Sequence, residues 1–285
     1  MKILTTIAEA QAVCRQLRRE GRRLGLVPTM GALHEGHLSL VRAARTQTPV
    51  VMASIFVNPL QFGPQEDLRR YPRNLEQDCR LLEAEEVKLV FAPAAEEMYP
   101  ASPAGLSHPC TFVEVTGLSD KLEGKSRPGH FRGVTTVVNK LFNLIAPDVA
   151  FFGQKDAQQA VIIRRMVGDL NMPVQVVVCP TVRESDGLAM SSRNRYLDTL
   201  QRQAATVLYR SLQRVRSLFD AGERSAATLA EAGRGVIREE PRARLDYFEI
   251  VDPESLAFLD AAPPGALAVT AAYFGETRLI DNLLL

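Results

Sequence analysis

The stretch Leu24-Gly-Leu-Val-Pro-Thr-Met-Gly-Ala-Leu-His-Glu-Gly-His-Leu-Ser-Leu-Val41 combines an apolar run, a glycine-containing loop and the start of a helical pattern. The run 24–27 predicts a buried strand. We expect Pro28 to end that strand, because proline has no N–H to give to a sheet ladder. After the loop, Leu38 and Val41 recur at helical spacing. The predicted order is therefore strand, loop and helix start.

Two histidines, His34 and His37, stand where this loop becomes a helix. Free main-chain N–H groups and the positive end of the helix dipole favour an anion at such a point. Imidazole donors suit nucleotide phosphates. A zinc pair is one alternative, but zinc usually needs further ligands, and His108 and His130 are distant in sequence. Two incidental surface histidines are the other alternative.

Composition excludes several classes of protein. The length of 285 residues suits two domains, and a net charge of +1 argues against a large nucleic-acid footprint. The N-terminus does not have the pattern of a signal peptide, and no apolar run reaches membrane-spanning length. Four scattered cysteines without a Cys-x-x-Cys motif fit a reducing compartment. We therefore expect a cytoplasmic protein without a membrane or nucleic-acid partner.

Strand and helix patterns alternate through the first two-thirds of the chain. Further strands are predicted at 50–57, 87–91, 112–115, 149–152 and 174–179, and helices at 7–20, 74–82, 134–145 and up to about 170. Such alternation predicts an α/β domain, with a Rossmann-like, doubly wound parallel sheet. The glycine-broken, basic segment 121–133 fits either a mobile flap or a plain surface loop.

The pattern changes after Asn194. Two helices, at about 198–220 and 225–239, precede strand-like runs at 245–251, 266–273 and 277–282. We therefore predict a first domain at 1–180 and a second, smaller α+β domain at 181–285.

Polar segments follow four of the predicted strands, at 28–37, 58–63, 153–159 and 180–194. Ligands bind at the carboxyl ends of strands in open α/β sheets, so we expect these segments to gather along one edge. They hold a set of donors and cations: His34, His37, Lys155, Ser191, Ser192 and Arg193. This set suits phosphoryl or nucleotidyl transfer, in which catalysis is positioning and charge neutralisation.

Two glutamines, Gln61 and Gln159, form a second candidate group with the apolar neighbours Pro28, Met30 and Phe62. Together they would suit a small hydroxylated ligand with an apolar part. The alternative is that both glutamines are exposed to solvent.

Six sequence blocks resemble one family over nearly the whole chain: Val27–His37, Phe56–Gly63, Tyr71–Arg73, Arg127–Val134, Phe152–Gln159 and Gly187–Asn194. That family is the pantothenate synthetases, or pantoate–β-alanine ligases. His-x-Gly-His alone marks a broad superfamily of nucleotidyltransferases and class I synthetases, whereas the other blocks in this order are specific to the family.

The resemblance implies ATP-dependent condensation of (R)-pantoate with β-alanine through a pantoyl-adenylate, releasing AMP and pyrophosphate. It implies that His37, His34 and Lys155 are catalytic. The implied ATP-binding residues are Met30, Gly31, His34, Gly36, His37, Gly153, Lys155, Asp156, Val182, Met190, Ser191, Ser192 and Arg193. The implied pantoate and β-alanine residues are Pro28, Met30, Gln61 and Gln159.

The resemblance also implies Mg²⁺ with ATP, with Asp78 matching an acidic position linked to the metal, although its neighbours Glu76 and Gln77 keep that pattern only in part. It implies a homodimer whose smaller domain closes over the site. Gln154 stands where the family commonly has Glu, next to Lys155.

The expected chemistry agrees with these residues. A pantoate carboxylate is already an anion, so it can attack the α-phosphorus without a general base. We therefore expect His37 to donate a hydrogen bond to phosphate rather than to act as an acid. The alternatives are another His-x-Gly-His nucleotidyltransferase and a non-catalytic nucleotide- or RNA-binding relative.

Overall fold

The computed structural model describes residues 1–64, 66–101 and 109–285, so His108 lies outside the described residues. The chain divides into two compact units. The first comprises Met1–Gly153 and Ile162–Cys179, and the second comprises Gln154–Val161 and Pro180–Leu285. Within the described ranges, no helix combines the length and the apolar character needed to cross a bilayer.

A six-stranded parallel sheet forms the centre of the first unit, which confirms the predicted fold class. Its strands are β1 (Lys2–Leu4), β2 (Leu24–Thr29), β3 (Val50–Ile55), β4 (Leu89–Phe91), β5 (Val149–Gly153) and β6 (Gln175–Cys179). Their order in the sheet is β1-β4-β3-β2-β5-β6, and each neighbouring pair is parallel. The edge strand β1 was not predicted, because three residues are too few to show a period.

Helices connect these strands. They are α1 (Ile7–Arg19), α2 (Glu35–Gln47), α3 (Leu75–Ala84), α4 (Ala95–Met98), α5 (Glu123–Ser126), α6 (His130–Ile145) and α7 (Ala157–Asp169), the last of which begins in the second unit. A buried core joins Val27, Val51 and Phe151 of the sheet to Val41 of α2 and Leu82 of α3. The strands are apolar runs because helices cover the sheet.

The prediction that Pro28 ends β2 is wrong, because the strand continues to Thr29. The Leu24 carbonyl accepts from the Asp148 N–H, just before β5, whereas the Thr29 carbonyl accepts from the Phe56 N–H, just after β3. Main-chain groups alternate sides along a strand, so the Pro28 nitrogen faces the β5 side. Pairing with β5 stops at Leu26, and the missing N–H therefore costs no ladder hydrogen bond.

The predicted strand at 112–115 is also wrong. The Val113 N–H donates to Thr136 Oγ1, and the Val113 carbonyl accepts from Thr135 Oγ1, so helix side chains replace a strand partner. Helix α6 begins at His130 rather than at 134. Gly133 does not break it; a Cβ there would lie 2.3 Å from the Leu60 carbonyl oxygen, so this glycine permits a close approach.

The second unit packs helices α8 (Thr199–Ala204), α9 (Val207–Asp220) and α10 (Ala226–Arg238) with the antiparallel strands β7 (Ala243–Val251), β8 (Leu267–Phe274) and β9 (Thr277–Leu284). Its core includes Leu208, Leu212 and Phe248. The single helix predicted at 198–220 is two helices. Thr206 Oγ1 donates to the Gln203 carbonyl at the junction, and such back-bonding competes with the helical pattern.

Candidate active site

The loop after β2 has a backbone that few residues can adopt. Gly31 and Ala32 both have positive φ, at 80° and 51°. Thr29 Oγ1 donates to the Ser54 carbonyl and accepts from the Gly31 N–H, at 2.8 and 3.1 Å. These contacts fix how the chain leaves the sheet before α2 begins.

A buried carboxylate holds the next two residues of this loop. Asp78 is 2% exposed. Its Oδ2 accepts from the Ala32 N–H at 2.9 Å, and its Oδ1 accepts from the Leu33 N–H at 2.8 Å. A Cβ at Gly31 would lie 2.8 Å from Asp78 Oδ2, so only glycine fits there without movement. Sequence reasoning missed this role, because nothing local links α3 to a loop more than forty residues earlier.

Both predicted histidines cap helix α2. His34 is the N-cap residue, and its Nδ1 accepts from the Gly36 N–H at 3.2 Å. His37 Nδ1 lies 3.4 Å from the His34 main-chain nitrogen, and the two ring centroids are 4.1 Å apart. A nitrogen that accepts from an amide carries no proton, so each neutral ring holds its proton on Nε2. The capping arrangement therefore makes each Nε2 a hydrogen-bond donor.

Gln61 is buried at the end of a short turn after β3, so the alternative of a solvent-exposed glutamine is wrong for this residue. Its Oε1 accepts from Asn58 Nδ2 at 3.1 Å, and its Nε2 approaches Met30 Sδ at 3.0 Å. Asn58 is held in turn by the Tyr99 hydroxyl, which donates to Asn58 Oδ1 at 2.9 Å. Asn58 and Tyr99 were not singled out from sequence.

The main chain of Gln61 is held as well. His130 Nδ1 lies 2.9 Å from the Gln61 carbonyl oxygen, and Arg127 Nη1 lies 3.1 Å from His130 Nε2. Because arginine can only donate, His130 Nε2 accepts and Nδ1–H donates to Gln61. Glu66 pairs with Arg127 through both oxygens, at 2.8 and 2.6 Å. Burial, followed by the nearby Arg127 charge, lowers the pKa of His130 to about 4.

In the second unit, Lys155 lies in a single turn, Gln154–Asp156, and its Nζ is 3.3 Å from Asp156 Oδ1. The Lys155 side chain is 21% exposed. Gln159 follows in the first turn of α7 and is half-buried.

The polar loop after Cys179 folds back on itself in the second unit. Arg183 and Ala189 form an antiparallel bridge, and the Met190 N–H donates to the Val182 carbonyl at 3.0 Å. Ser191 caps the short helix Ser192–Tyr196, since its Oγ accepts from the Arg193 N–H at 3.3 Å. These contacts therefore fix the main chain of the turn that carries Ser191, Ser192 and Arg193.

The sequence of this chain matches one protein family along nearly its whole length. The family model described as pantoate-beta-alanine ligase matches residues 2–284. The chain belongs to the pantoate–β-alanine ligase family. Its activity is therefore that of a pantoate–β-alanine ligase, which makes pantothenate. The resemblance drawn from the sequence blocks is confirmed.

Relatives of this ligase match over its whole length. The pantothenate synthetase of Koribacter versatilis is 60% identical, covering 100% of this chain and 96% of its own. The solved pantothenate synthetase of Thermus thermophilus is 49% identical with a TM-score of 0.93, covering 100% and 99%. That of Francisella tularensis, described as complexed with beta-gamma ATP and beta-alanine, is 34% identical with a TM-score of 0.81, covering 100% and 97%.

The structure places the predicted residues of this ligase in two sets. The first unit holds Pro28, Met30, Gly31, His34, Gly36, His37, Gln61, Asp78 and Gly153, and the second holds Lys155, Asp156, Gln159, Val182, Met190, Ser191, Ser192 and Arg193. The strands that precede the polar segments, β3, β2, β5 and β6, are consecutive in the sheet.

Asp78 is the predicted metal ligand among the described residues of this ligase. Among them, no group of three or more His, Cys, Asp or Glu side chains is arranged to hold a metal ion. Both oxygens of Asp78 accept main-chain hydrogen bonds. Mg²⁺ is usually bound through one or two carboxylates and substrate phosphates. Asp78 as a metal ligand stays a prediction, which competes with its observed role in the loop.

Proposed function

We propose that this ligase first activates pantoate with ATP as a pantoyl-adenylate and then transfers the pantoyl group to β-alanine. The observation that carries the proposal is the pair of capping histidines. Main-chain amides engage both Nδ1 atoms, and both Nε2–H groups become donors at the N-terminus of α2. The Francisella relative complexed with beta-gamma ATP and beta-alanine supports both substrates.

In the first step, a pantoate carboxylate oxygen attacks the α-phosphorus of ATP. A bond forms between the carboxylate oxygen and phosphorus, and the bond to pyrophosphate breaks. No proton has to be removed from the nucleophile, since the carboxylate is already ionised at neutral pH. What the step needs is neutralisation of the charge on the phosphates, and preorganised donors supply it without reorganisation.

We assign this charge neutralisation to the following residues. His34 and His37 donate to phosphate oxygens through Nε2–H, Lys155 and Arg193 contribute positive charge, and Ser191 and Ser192 donate hydroxyl hydrogens. Met30, Gly31, Gly36, Gly153, Asp156, Val182 and Met190 line the nucleotide site. Mg²⁺ enters with ATP, bound to its phosphates as part of the substrate.

For pantoate we propose Gln61 and Gln159 as hydrogen-bonding residues and Pro28 and Met30 as apolar contacts. In the structure, Gln61 Nε2 faces the Met30 sulfur, which is a weak acceptor. A hydroxyl or carboxylate oxygen of pantoate is a better acceptor. We therefore expect pantoate to take over this hydrogen bond, with Asn58 still holding the other end of the amide.

In the second step, the neutral amine of β-alanine attacks the acyl carbon of the adenylate. The amide C–N bond forms, the acyl–oxygen bond to phosphate breaks, AMP leaves, and the amine nitrogen releases one proton to solvent. The protein must keep the adenylate from water until the amine arrives.

We further propose a cytoplasmic homodimer, as the resemblance implies, without nucleic-acid or membrane partners. Multi-angle light scattering on the purified chain tests the dimer.

ATP–pyrophosphate exchange before any β-alanine is added tests the adenylate. Exchange should require pantoate, because pyrophosphate leaves only when the carboxylate attacks. Exchange that proceeds equally without pantoate, or that needs β-alanine to begin, would contradict the order of steps. Filter binding with labelled tRNA should give no retention above background.

A further inference from the structure

The C-terminal strand β9 carries an asparagine whose side chain binds the main chain on both sides of Lys155 Cα. Asn282 is 4% exposed. Its Nδ2 donates to the carbonyl oxygens of Gln154 at 2.9 Å and of Lys155 at 2.8 Å. Its Oδ1 accepts from Gln154 Nε2 at 3.1 Å. One amide therefore fixes the turn from which the Lys155 side chain extends.

The orientation of this amide follows from its partners. Main-chain carbonyls only accept, so the Asn282 atom that faces two of them must be nitrogen. Its oxygen then faces Gln154, and the near atom of that side chain must be a donor. The Gln154 amide, through its Nε2, meets this requirement. A carboxylate in the same position would face the Asn282 oxygen without a proton to share.

The neighbouring residue anchors Asn282. Asp281 is 3% exposed and pairs with Arg183 through both oxygens, at 2.6 and 2.9 Å. The Asn282 N–H also donates to Asp281 Oδ1 at 2.8 Å. Arg183 Nη1 donates in addition to the Gly187 carbonyl at 3.0 Å. The Asp281–Asn282 dipeptide thus connects the Lys155 turn with the loop that carries Met190–Arg193.

We propose that Asn282 is a positioning residue for the ligase reaction: it acts through Lys155 by fixing the Gln154–Lys155 backbone. This inference rests on the proposed role of Lys155 at the ATP phosphates. The lysine side chain is flexible, so its charge stays in one place only when its main chain is fixed. Small displacements of a charge-neutralising group reduce the rate strongly.

A double-mutant cycle on the full-length ligase tests the inference by pantoate-dependent ATP–pyrophosphate exchange. Lys155→Ala should lower exchange by ~10²–10³-fold. Asn282→Ala should lower it by ~10-fold. If Asn282 acts through Lys155, the double variant should fall within ~3-fold of Lys155→Ala alone, because nothing is left to position. If Asn282 had a purely structural role, exchange in the double variant would instead be ~10-fold lower than in Lys155→Ala.

A matched control separates positioning from lost stability. Ser211 is fully buried in the same unit, and its Oγ donates to the Leu208 carbonyl at 2.7 Å. Ser211→Ala removes a buried hydrogen bond far along the chain from 154–155 and should leave exchange within ~2-fold of wild type. Asn282→Leu, which keeps the side-chain volume without polar atoms, replaces Asn282→Ala in the cycle if the latter does not fold.

The exchange rates of these variants distinguish a failure of the proposed role of Lys155 from a failure of the positioning role of Asn282. Wild-type exchange in Lys155→Ala would overturn the role of Lys155 and the inference with it. A large loss in Lys155→Ala, combined with multiplicative loss in the double variant or with no loss in either Asn282 variant, would overturn the inference alone. Loss in Asn282 variants that vanishes in the Lys155→Ala background supports it.

Discussion

Asp78 and Leu33, which are 45 residues apart in sequence, are joined by a 2.8 Å hydrogen bond from the Leu33 main-chain N–H to Asp78 Oδ1. The second oxygen binds the Ala32 N–H, so one buried side chain satisfies two consecutive amides in a loop with positive φ. Buried amides without partners are costly, and strained loops persist only where their surroundings hold them. Asp78 therefore maintains the loop that leads into His34.

Replacing Asp78 tests this role. Asp78→Ala removes the hydrogen bonds that the buried N–H groups of Ala32 and Leu33 donate to the carboxylate, so we expect a loss of roughly 2–4 kcal/mol in the free energy of unfolding. Pantoate-dependent ATP–pyrophosphate exchange should fall by ~10-fold or more as the loop relaxes. Urea unfolding followed by circular dichroism and the exchange assay measure the two effects.

The same variant decides between loop support and metal binding. If Asp78 were chiefly a Mg²⁺ ligand, Asp78→Ala would raise the Mg²⁺ concentration needed for activity and leave the free energy of unfolding unchanged. Glu83→Ala is the control, because Glu83 lies on the same helix with its side chain 67% exposed. It should change neither quantity.

Substitutions of His34 separate its capping role from its donor role. Asparagine is also a good N-cap residue, so His34→Asn should keep the free energy of unfolding within ~0.5 kcal/mol of wild type. It removes the Nε2–H donor, and exchange should fall by ~10²–10³-fold. His34→Ala should show the same loss of exchange and, in addition, destabilise the protein by about 1 kcal/mol.

His37→Ala should also lower exchange by ~10²–10³-fold, because it removes the second Nε2–H donor. Exchange at the wild-type rate in His34→Asn and His37→Ala would remove both histidines from the phosphate site. Their contacts in the structure would then be explained by capping alone.

The hydrogen-bonded position of Gln61 predicts a selective effect on pantoate. Gln61→Ala should raise the KM for pantoate by ~10–100-fold and the KM for ATP by much less, because Gln61 is assigned to the acid and not to the nucleotide. Steady-state kinetics with each substrate varied in turn measure the difference. Gln77→Ala, at an exposed glutamine on α3, is the matched control. A larger effect on ATP would show that Gln61 does not belong to the pantoate site.

The parts that sequence could predict are those that depend on local pattern. Apolar runs and helical spacing predict β2, β3, β5 and the helix that His34 caps, since both signals lie within a few residues. Whether Pro28 ends strand β2 could not be predicted from local pattern. Its effect depends on which neighbour its nitrogen faces, and that is a property of the sheet. Asp78 and Asn282 act on backbone distant in sequence, so their roles need coordinates.

The start of helix α6 is a second feature that local pattern did not predict correctly. The predicted start of α6 at 134 comes from the apolar spacing that begins at Val134, and it falls four residues after the observed start at His130. In the structure Gly133 lies inside the helix, where the Leu60 main chain leaves no room for a side chain. Such a close approach between two segments produces no periodic signal in either of them.

The buried His130 predicts a pH dependence of stability. Its pKa falls from 6.5 to about 4 in the folded protein, chiefly because of burial and then because of Arg127, while Glu123 and Glu66 oppose the shift. The unfolded chain therefore binds a proton at a pH at which the folded chain does not. This contribution to stability is fully present above about pH 6.5 and is lost as the pH falls towards 4.

At about 1.4 kcal/mol per pKa unit, the loss between pH 7 and pH 4 amounts to roughly 3 kcal/mol from this residue. His130→Gln keeps an amide donor for the Gln61 carbonyl but cannot take up a proton in this range. We expect the drop in unfolding free energy over that interval to be smaller in His130→Gln than in wild type by roughly this amount. Equal drops in the two proteins would mean that His130 can accept a proton without leaving its contacts with Arg127 and Gln61.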